Sequence, residues 1–335
     1  MTDATQVPSA RPRKVLEQIA PVSWEHPADR AALQTLRAIP GFDEAVRKIV
    51  GTFGERGIRL LFQANAVRVG PTQFPVLHTL ITEVSSTMDW PEPPEVYVTQ
   101  TPFVNAGAVG VERPFIILNS GAVALLDTDE LRALVGHELG HVMSGHALYR
   151  TVLILILELG FQNLPFLAGI ALLPIKLALL EWSRKAELSA DRAGLLASQD
   201  LTSVNRVFLK LAGGGDMKQM DLNAFMQQAS EYEERGGALD VIYKILNTLG
   251  ATHPFNTLRA AELKRWTDSG AYQRIMDGQY TRRGAEQAQR NLGDDLGDAA
   301  AHYATEARKT VDQVADAAKR AARAFTDAFK DATKK

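Results

Sequence analysis

Apolar residues recur at steps of three and four along much of the chain, which is the spacing of an amphipathic helix. Pro40 and Gly41 separate the first two stretches of this kind, and runs of glycine separate later ones. The pattern predicts helices at residues 29–39, 43–53, 72–88, 129–146, 183–198, 201–212, 221–232, 238–249 and 252–266.

The pattern changes between residues 90 and 119, where VYVT alternates and PFIILN is a compact β-branched run. Together with PFVNAGAVGV these runs predict about three strands. Residues 105–110 form either an exposed edge strand, to which an extended peptide can add by main-chain hydrogen bonds, or a glycine-bearing hairpin without a ligand. The fold class that we expect is α+β, mostly helical, with a small β-sheet.

Residues 151–182 are almost wholly aliphatic, but polar residues and two prolines interrupt them. Each half is shorter than the roughly 20 apolar residues that a membrane-spanning helix needs. We therefore expect an apolar helical hairpin at 151–182 that contacts a membrane surface or another subunit, in preference to a transmembrane segment.

The two ends of the chain differ from its middle. Residues 1–28 are rich in proline and small residues, which predicts a poorly ordered lead. Residues 291–335 are rich in alanine with a shallow apolar stripe, which predicts an amphipathic helical tail. That tail is a packing arm or solvated helix, with a membrane anchor as the alternative. Residues 29–290 would then form the main domain.

The amino-acid composition limits the kinds of partner and metal site that the chain can have. With 46% hydrophobic residues in 335, the chain can bury a sizeable core, and a net charge of −2 gives no reason to expect nucleic acid as a partner. The chain has no cysteine, so a metal site must use His, Asp or Glu. The N-terminal residues lack the apolar core of a signal peptide. We expect a cytoplasmic protein, with a peripheral place at the inner face of the membrane as the alternative.

The sequence HELGH at 137–141 is the strongest chemical signal. On a helix, His137 and His141 lie one turn apart, which lets their imidazoles converge on one Zn²⁺. Glu138 would stand beside the pair, where it can act as a general base without binding the metal. The alternative is an exposed helix with ordinary histidines.

A second pair of acids follows in residues 183–198. Glu187 and Asp191 are four residues apart and so share one helical face. Glu187 is the best candidate for a third metal ligand, and Asp191 could accept a hydrogen bond from a metal-binding imidazole. Other acids remain open as alternatives, as does a solvated helix.

Two further histidines need an interpretation. His146 is nine residues past His137, which would turn it to the far side of the same helix as a capping or surface residue. Ser144 and Ala147 stand where the metzincin pattern needs Gly and His, which excludes that ligand set. His253 and Arg259 lie at the start of a predicted helix, where a cationic group could face an oxyanion.

Taken together, these motifs resemble one family, the gluzincin peptidases that include the bacterial heat-shock protease HtpX and the type 1 CAAX prenyl endopeptidases. The resemblance rests on HELGH at 137–141, ELSAD at 187–191 after SRK, and THP at 252–254 with an arginine six places past its histidine. NAG at 105–107 ahead of a β-run adds to it, and about residues 70–265 are covered.

The resemblance implies a zincin-like metallopeptidase core with one Zn²⁺ per chain. By resemblance, His137, His141 and Glu187 would bind zinc, Glu138 would be the catalytic base, and Asp191 would orient a ligand. His253 and Arg259 match positions near the developing oxyanion. The strand that holds the substrate backbone would contain Asn105, Ala106 and Gly107.

Our first hypothesis is therefore a zinc-dependent endopeptidase that hydrolyses peptides or unfolded proteins, in protein quality control near a membrane. One alternative is a non-enzymatic membrane-surface or scaffold protein with a structural zinc site. Another is a latent peptidase whose cleft is covered by its own hairpin or tail.

Overall fold

The computed structural model describes residues 12–159, 172–234 and 255–285, and these residues are mostly helical, as the sequence predicts. The predicted helix at 238–249, His253 and the tail at 291–335 lie outside the described residues. The helices of the described part are α1 Pro27–Arg37, α2 Phe42–Gln63, α3 Pro75–Thr87, α4 Ser120–Leu125, α5 Thr128–Met143, α6 Ala147–Leu159, α7 Leu172–Ser198, α8 Leu201–Gly213, α9 Leu222–Glu234, α10 Asn256–Asp268 and α11 Ala271–Met276.

The sheet has four strands in the described residues, in the order β1-β2-β4-β3, and the first of them was not predicted. β2 and β4 run parallel, while β1–β2 and β3–β4 are antiparallel. β3 forms an antiparallel hairpin with β4 and is also the last strand of the sheet. It therefore combines the two alternatives predicted for this segment, a hairpin and an edge strand. The strands are β1 Ala66–Arg68, β2 Val96–Thr99, β3 Ala106–Val109 and β4 Phe115–Asn119.

A capping box fixes the start of α5, the helix that carries HELGH. The Asp127 side chain accepts from the backbone N–H groups of Asp129 and Glu130, and the Glu130 side chain accepts from that of Asp127. Glu130 is fully buried, and Lys210 of α8 donates to it at 2.6 Å. The start of α5 is therefore tied both to its own loop and to α8.

α5 packs against α7 through glycine at its closest points. A Cβ at position 136 would lie 2.4 Å from the Cβ of Ala197, and one at position 140 would lie 2.4 Å from the Cβ of Ala193. From the other side, a Cβ on Gly194 would lie 2.9 Å from the carbonyl oxygen of Ala133. We call Gly136, Gly140 and Gly194 the glycine seam. It lets the two helices approach more closely than any side chain would allow.

Gly140→Ala is expected to destabilise the fold by about 1–3 kcal/mol, because the added methyl group must push α5 away from α7. The same shift would weaken metal binding, since the two helices carry different candidate ligands. Denaturant unfolding and bound zinc per chain measure the two effects. Gly51→Ala, at an exposed α2 position where a Cβ meets nothing within 4 Å, is the control and should be neutral or slightly stabilising. Equal stability of both variants would contradict the tight seam.

The N-terminal lead was predicted to be poorly ordered, and for residues 12–28 that prediction was wrong. Leu16, Ile19, Ala20 and Trp24 are fully buried in the main core, and the N–H of Leu16 donates to the carbonyl of Thr87 at 2.8 Å. Prolines made this stretch look irregular, but its apolar residues fill the core beside α3. Residues 1–11 lie outside the described part of the chain.

The apolar hairpin predicted at 151–182 corresponds to parts of α6 and α7, and residues 160–171 lie outside the described residues. The flanking parts of α6 and α7 form a second core with α1 and α2, in which the buried residues include Leu36, Phe42, Leu153 and Leu179. The chain's own N-terminal helices thus cover much of the apolar surface. Leu173 and Leu177, at the start of α7, remain exposed.

No single helix among the described residues is long and apolar enough to cross a membrane. Within the described part of the chain, one pair of helices, 128–143 and 147–158, passes that test by length and composition when taken together, and the two helices are bent by 98° relative to each other.

Candidate metal centre

Three side chains meet in the interior between α5 and α7. Nε2 of His137 lies 3.2 Å from Nε2 of His141 and 3.4 Å from Oε2 of Glu187, and Nε2 of His141 lies 3.3 Å from Oε1 of Glu187. All three residues are buried. The structure thus brings together the two histidines and the acid that the sequence proposed as a ligand set.

The spacing of these atoms suits one shared metal ion. Ligand atoms about 2.0–2.1 Å from a zinc ion with tetrahedral geometry lie about 3.3 Å from each other. On this chain the two imidazole nitrogens are 3.2 Å apart, and they lie 3.4 and 3.3 Å from the two different oxygens of Glu187. One ligand atom from each residue lies within 4.8 Å of the others. Two imidazole nitrogens and one carboxylate are also the donor set of catalytic zinc sites that leave a position open.

Asp191 and Arg259 fix the orientation of His137 through its Nδ1 atom. Nδ1 of His137 lies 2.9 Å from Oδ1 of Asp191, and Arg259 donates to both oxygens of the same carboxylate, from Nη2 at 2.6 Å and from Nε at 2.9 Å. Such a two-point pair fixes the plane of the carboxylate. Asp191 thus lies where the sequence placed it, whereas Arg259, expected beside an oxyanion, is bound to Asp191.

His146 does not lie on the far side of α5, and the prediction of a capping or surface residue was wrong. α5 ends at Met143, and Gly145 adopts a left-handed φ of +71°, which folds the chain back. His146 is therefore buried, with its Nδ1 3.0 Å from Nδ1 of His141. The helical-wheel argument failed because the helix no longer continues at this residue.

Arg150 of α6 is a site residue that the sequence analysis missed. Its Nη1 contacts Nε2 of His141 and lies 2.9 Å from Oε1 of Glu187. A Cβ at position 107 would lie 3.7 Å from its Nη2, so the guanidinium also borders the edge strand β3. The only signal in the sequence was a cation within a largely apolar helix, four residues after His146.

The imidazoles differ in their electrostatic surroundings. Burial lowers the pKa of His137, but hydrogen bonds with Asp191 and Glu187 outweigh it and raise the pKa to about 9. Burial and the nearby charge of Arg150 hold the pKa of His141 well below its usual range. A metal ion binding here must displace a proton from His137, because imidazole binds metals in its neutral form.

Glu138 is buried beside the ligand set without belonging to it. Burial raises its pKa, and the charges of Arg150 and His137 only partly oppose that shift. Among the described residues, no hydrogen-bond partner is found for its Oε2. A buried carboxylate oxygen without a partner is costly, which indicates a group kept for a ligand or a reacting atom.

A cavity of about 360 Å³ opens onto these groups. His137, Glu138 and Glu187 line its polar side, and the edge-strand residues Asn105 and Ala106 lie at its border. Its remaining wall is largely apolar and includes Leu134, Val204, Val207, Phe208 and Leu211. The cavity can therefore hold an apolar side chain next to the polar groups.

Two residues of β3 have main-chain groups that are not hydrogen-bonded to β4, and both residues are buried. The N–H of Asn119 donates to the carbonyl of Asn105 at 3.0 Å, and Gly107 is paired with Ile117 in the antiparallel register. Because main-chain groups alternate in direction along a strand, those of Ala106 and Ala108 point away from β4. Of the predicted edge residues, Ala106 therefore offers its backbone to a ligand, while Asn105 and Gly107 bond within the sheet.

Comparisons with known proteins agree with the geometry. Residues 71–267 match the model of peptidase family M48. The chain is 33% identical over 258 residues to the plastoglobule-localized metallopeptidase 48, chloroplastic, of Arabidopsis thaliana, covering 76% of this chain and 74% of that protein. It is 30% identical over 226 residues to the protease HtpX homolog of Pseudarthrobacter chlorophenolicus, covering 60% of this chain and 75% of that protein. The comparison with solved structures found no significant match.

Proposed function

The chain belongs to peptidase family M48 and is a metallopeptidase, and from that premise we propose that it is a zinc-dependent endopeptidase with Glu138 as its general base. The predicted HtpX-like family is thereby confirmed. The observation that carries the proposal is the buried group of His137, His141 and Glu187, whose ligand atoms lie within 4.8 Å of one another, with Glu138 on the same cavity.

His137, His141 and Glu187 would hold one Zn²⁺ per chain. The donor set suits zinc, because two neutral imidazoles and one carboxylate leave a coordination position open for the reaction. A zinc ion bound there supplies Lewis acidity, which polarises a peptide carbonyl and acidifies a water molecule.

Glu138 handles the proton in this mechanism. Its carboxylate takes a proton from the attacking water and later delivers it to the amine that leaves. The raised pKa of Glu138 suits both steps, because a base whose pKa lies nearer to neutral can accept and release the same proton. The partnerless Oε2 supports this role, since no described group competes for it.

Ala106 would bind the substrate by pairing its main chain with an extended peptide. Its N–H and C=O groups point away from β4 and match an extended peptide, which then lies along the cavity beside Glu138. The main-chain groups of Ala108 point the same way, but that residue is fully buried. A folded protein seldom offers a free extended segment, so unfolded proteins and flexible peptides are the substrates that this edge favours. The apolar wall of the cavity would take one apolar side chain of the peptide.

Arg150 is a candidate for the positive charge that stabilises the developing oxyanion. The guanidinium contacts two of the three ligand residues and borders β3, so it lies between the ligand set and the proposed substrate strand. Arg259 is better placed as a residue that positions Asp191. His253 lies outside the described residues, and its role rests on the resemblance alone.

The biological setting is proposed from relatives. Proteases of the HtpX type and the plastoglobule-localized metallopeptidase are similar to this chain, and we propose a part in protein quality control, with a peripheral place at a membrane. Exposed Leu173 and Leu177 at the start of α7 would contribute to membrane contact or self-association.

Metal removal tests the proposed function. Dialysis against a chelator should abolish cleavage of a chemically unfolded protein, and one equivalent of Zn²⁺ should restore it. The same protein in its folded form is the control substrate and should resist. Full zinc binding without cleavage of any unfolded substrate would favour a scaffold with a structural zinc site. Activity that appears only after deletion of residues 291–335 would identify a latent peptidase.

A further inference from the structure

A second buried chain of hydrogen bonds leads away from the candidate metal centre toward α1. It runs from His141 to His146 at 3.0 Å, and from Nε2 of His146 to Oδ2 of Asp29 at 3.1 Å. Asp29 also accepts from Oγ of Ser189 at 2.6 Å and from Nε1 of Trp182 at 3.0 Å. Every residue in this series of hydrogen bonds is buried.

The direction of each hydrogen bond follows from the atom that faces the ligand set. Nε2 of His141 lies against His137 and Glu187, so it is the nitrogen that would bind a metal. A neutral imidazole that binds through Nε2 carries its proton on Nδ1. Nδ1 of His141 must then donate to Nδ1 of His146, which accepts only if its own proton is on Nε2. That proton in turn points at the Asp29 carboxylate.

We propose that His146 and Asp29 are positioning residues of the metal centre, which fix the tautomer and ring orientation of His141 as Asp191 and Arg259 do for His137. The inference rests on the proposed function, because it concerns the same metal ion. Asp29 lies outside residues 71–267, the part of the chain that matches the family model. The N-terminal segment thus completes a site whose other parts come from the family core.

The carboxylates that contact His137 and His146 are held by different groups. Asp191 is held by a guanidinium with two parallel hydrogen bonds, whereas Asp29 is held by an indole and a hydroxyl of α7. Both carboxylates accept from every group named here, which suits an ionised carboxylate that anchors an imidazole N–H. A purely structural ion pair would not require the matching order of donors and acceptors across two rings.

The test compares His146→Gln with His146→Leu by zinc affinity, measured in competition with a chelator. Glutamine can accept from His141 with its amide oxygen and donate to Asp29 with its amide nitrogen, so its zinc affinity should stay close to that of the wild type. Leucine is buried equally well but cannot accept, and should bind zinc about 10- to 100-fold more weakly. Asp29→Asn should weaken zinc binding in the same range.

Trp182→Phe is the matched control. It removes one donor to Asp29 and keeps the link between Asp29 and His146, so it reports the cost of loosening the cluster alone. Unfolding midpoints of the metal-free proteins measure that cost. If Trp182→Phe and Asp29→Asn weaken zinc binding equally, or if the two His146 variants bind equally, the inference is wrong.

Nitrogen-15 NMR of the zinc-loaded wild type tests the tautomers without any substitution. We expect a protonated Nδ1 on His141 and a protonated Nε2 on His146, and the opposite assignment on either ring overturns the inference even if no variant folds. A wild type that binds zinc and cleaves substrate, yet shows the opposite tautomers, contradicts the inference and leaves the proposed function standing. A wild type that binds no zinc removes both.

Discussion

Glu138→Gln is expected to lower the rate of peptide hydrolysis by about 10²- to 10⁴-fold while leaving one zinc ion bound per chain. The amide keeps the size of the side chain but cannot take a proton from water. Because Glu138 is not among the three clustered ligand residues, its replacement should leave the metal in place. Initial rates on an unfolded protein, divided by the zinc content of each preparation, measure the effect.

Glu130→Gln provides the control for this result. Glu130 is another buried carboxylate of α5, but it is bound to Lys210 and Arg206 at the start of the helix and does not border the cavity. Its replacement should lower stability and leave the rate per zinc-loaded molecule nearly unchanged. If Glu138→Gln retained wild-type activity, Glu138 would not be the general base.

Glu187→Ala is expected to lose bound zinc, with affinity weakened by more than the roughly 100-fold that follows loss of an outer partner. Two imidazoles alone cannot complete the donor set, and removal of the carboxylate also leaves Arg150 without its ion-pair partner in the site. Metal analysis after gel filtration, followed by titration with a chelator, measures stoichiometry and affinity. This is the substitution that separates a true ligand set from an isolated HELGH sequence.

Glu181→Ala is the matched control on the same helix. Glu181 lies more than a turn before Glu187 and is half exposed, with Lys185 and Arg184 as its partners. It should retain one zinc ion per chain. Wild-type zinc content in Glu187→Ala would show that the third ligand is another residue.

The parts of the site that the sequence predicted are those that depend on short spacing within one helix. His137 and His141 are one turn apart on α5, and Glu187 and Asp191 are one turn apart on α7. Helical periodicity alone therefore predicts that the two members of each pair share one face of their helix. Spacing within a helix says nothing about its neighbours. The meeting of the two helices was inferred from the absence of cysteine, which left other acids open, and from the resemblance.

The parts that the sequence did not predict depend on where helices end and on contacts between distant segments. His146 was misplaced because Gly145 ends the periodic pattern. The sequence did not predict a role for Asp29, since a single acid at the start of a predicted helix gives no sign that it is only 1% exposed. Strand β1 has only three residues and was missed because so short a run carries no recognisable alternation.

The glycine seam lies between the two helices that carry the candidate metal ligands. Main-chain contact and two small alanines set the distance between α5 and α7, so the volumes of Leu, Val and Phe side chains elsewhere in the core hardly affect it. With such an arrangement, core residues elsewhere could be substituted without changing the distances among the ligand atoms. The arrangement would also make positions 136, 140 and 194 among the least replaceable in the molecule, although none of them is a candidate metal ligand.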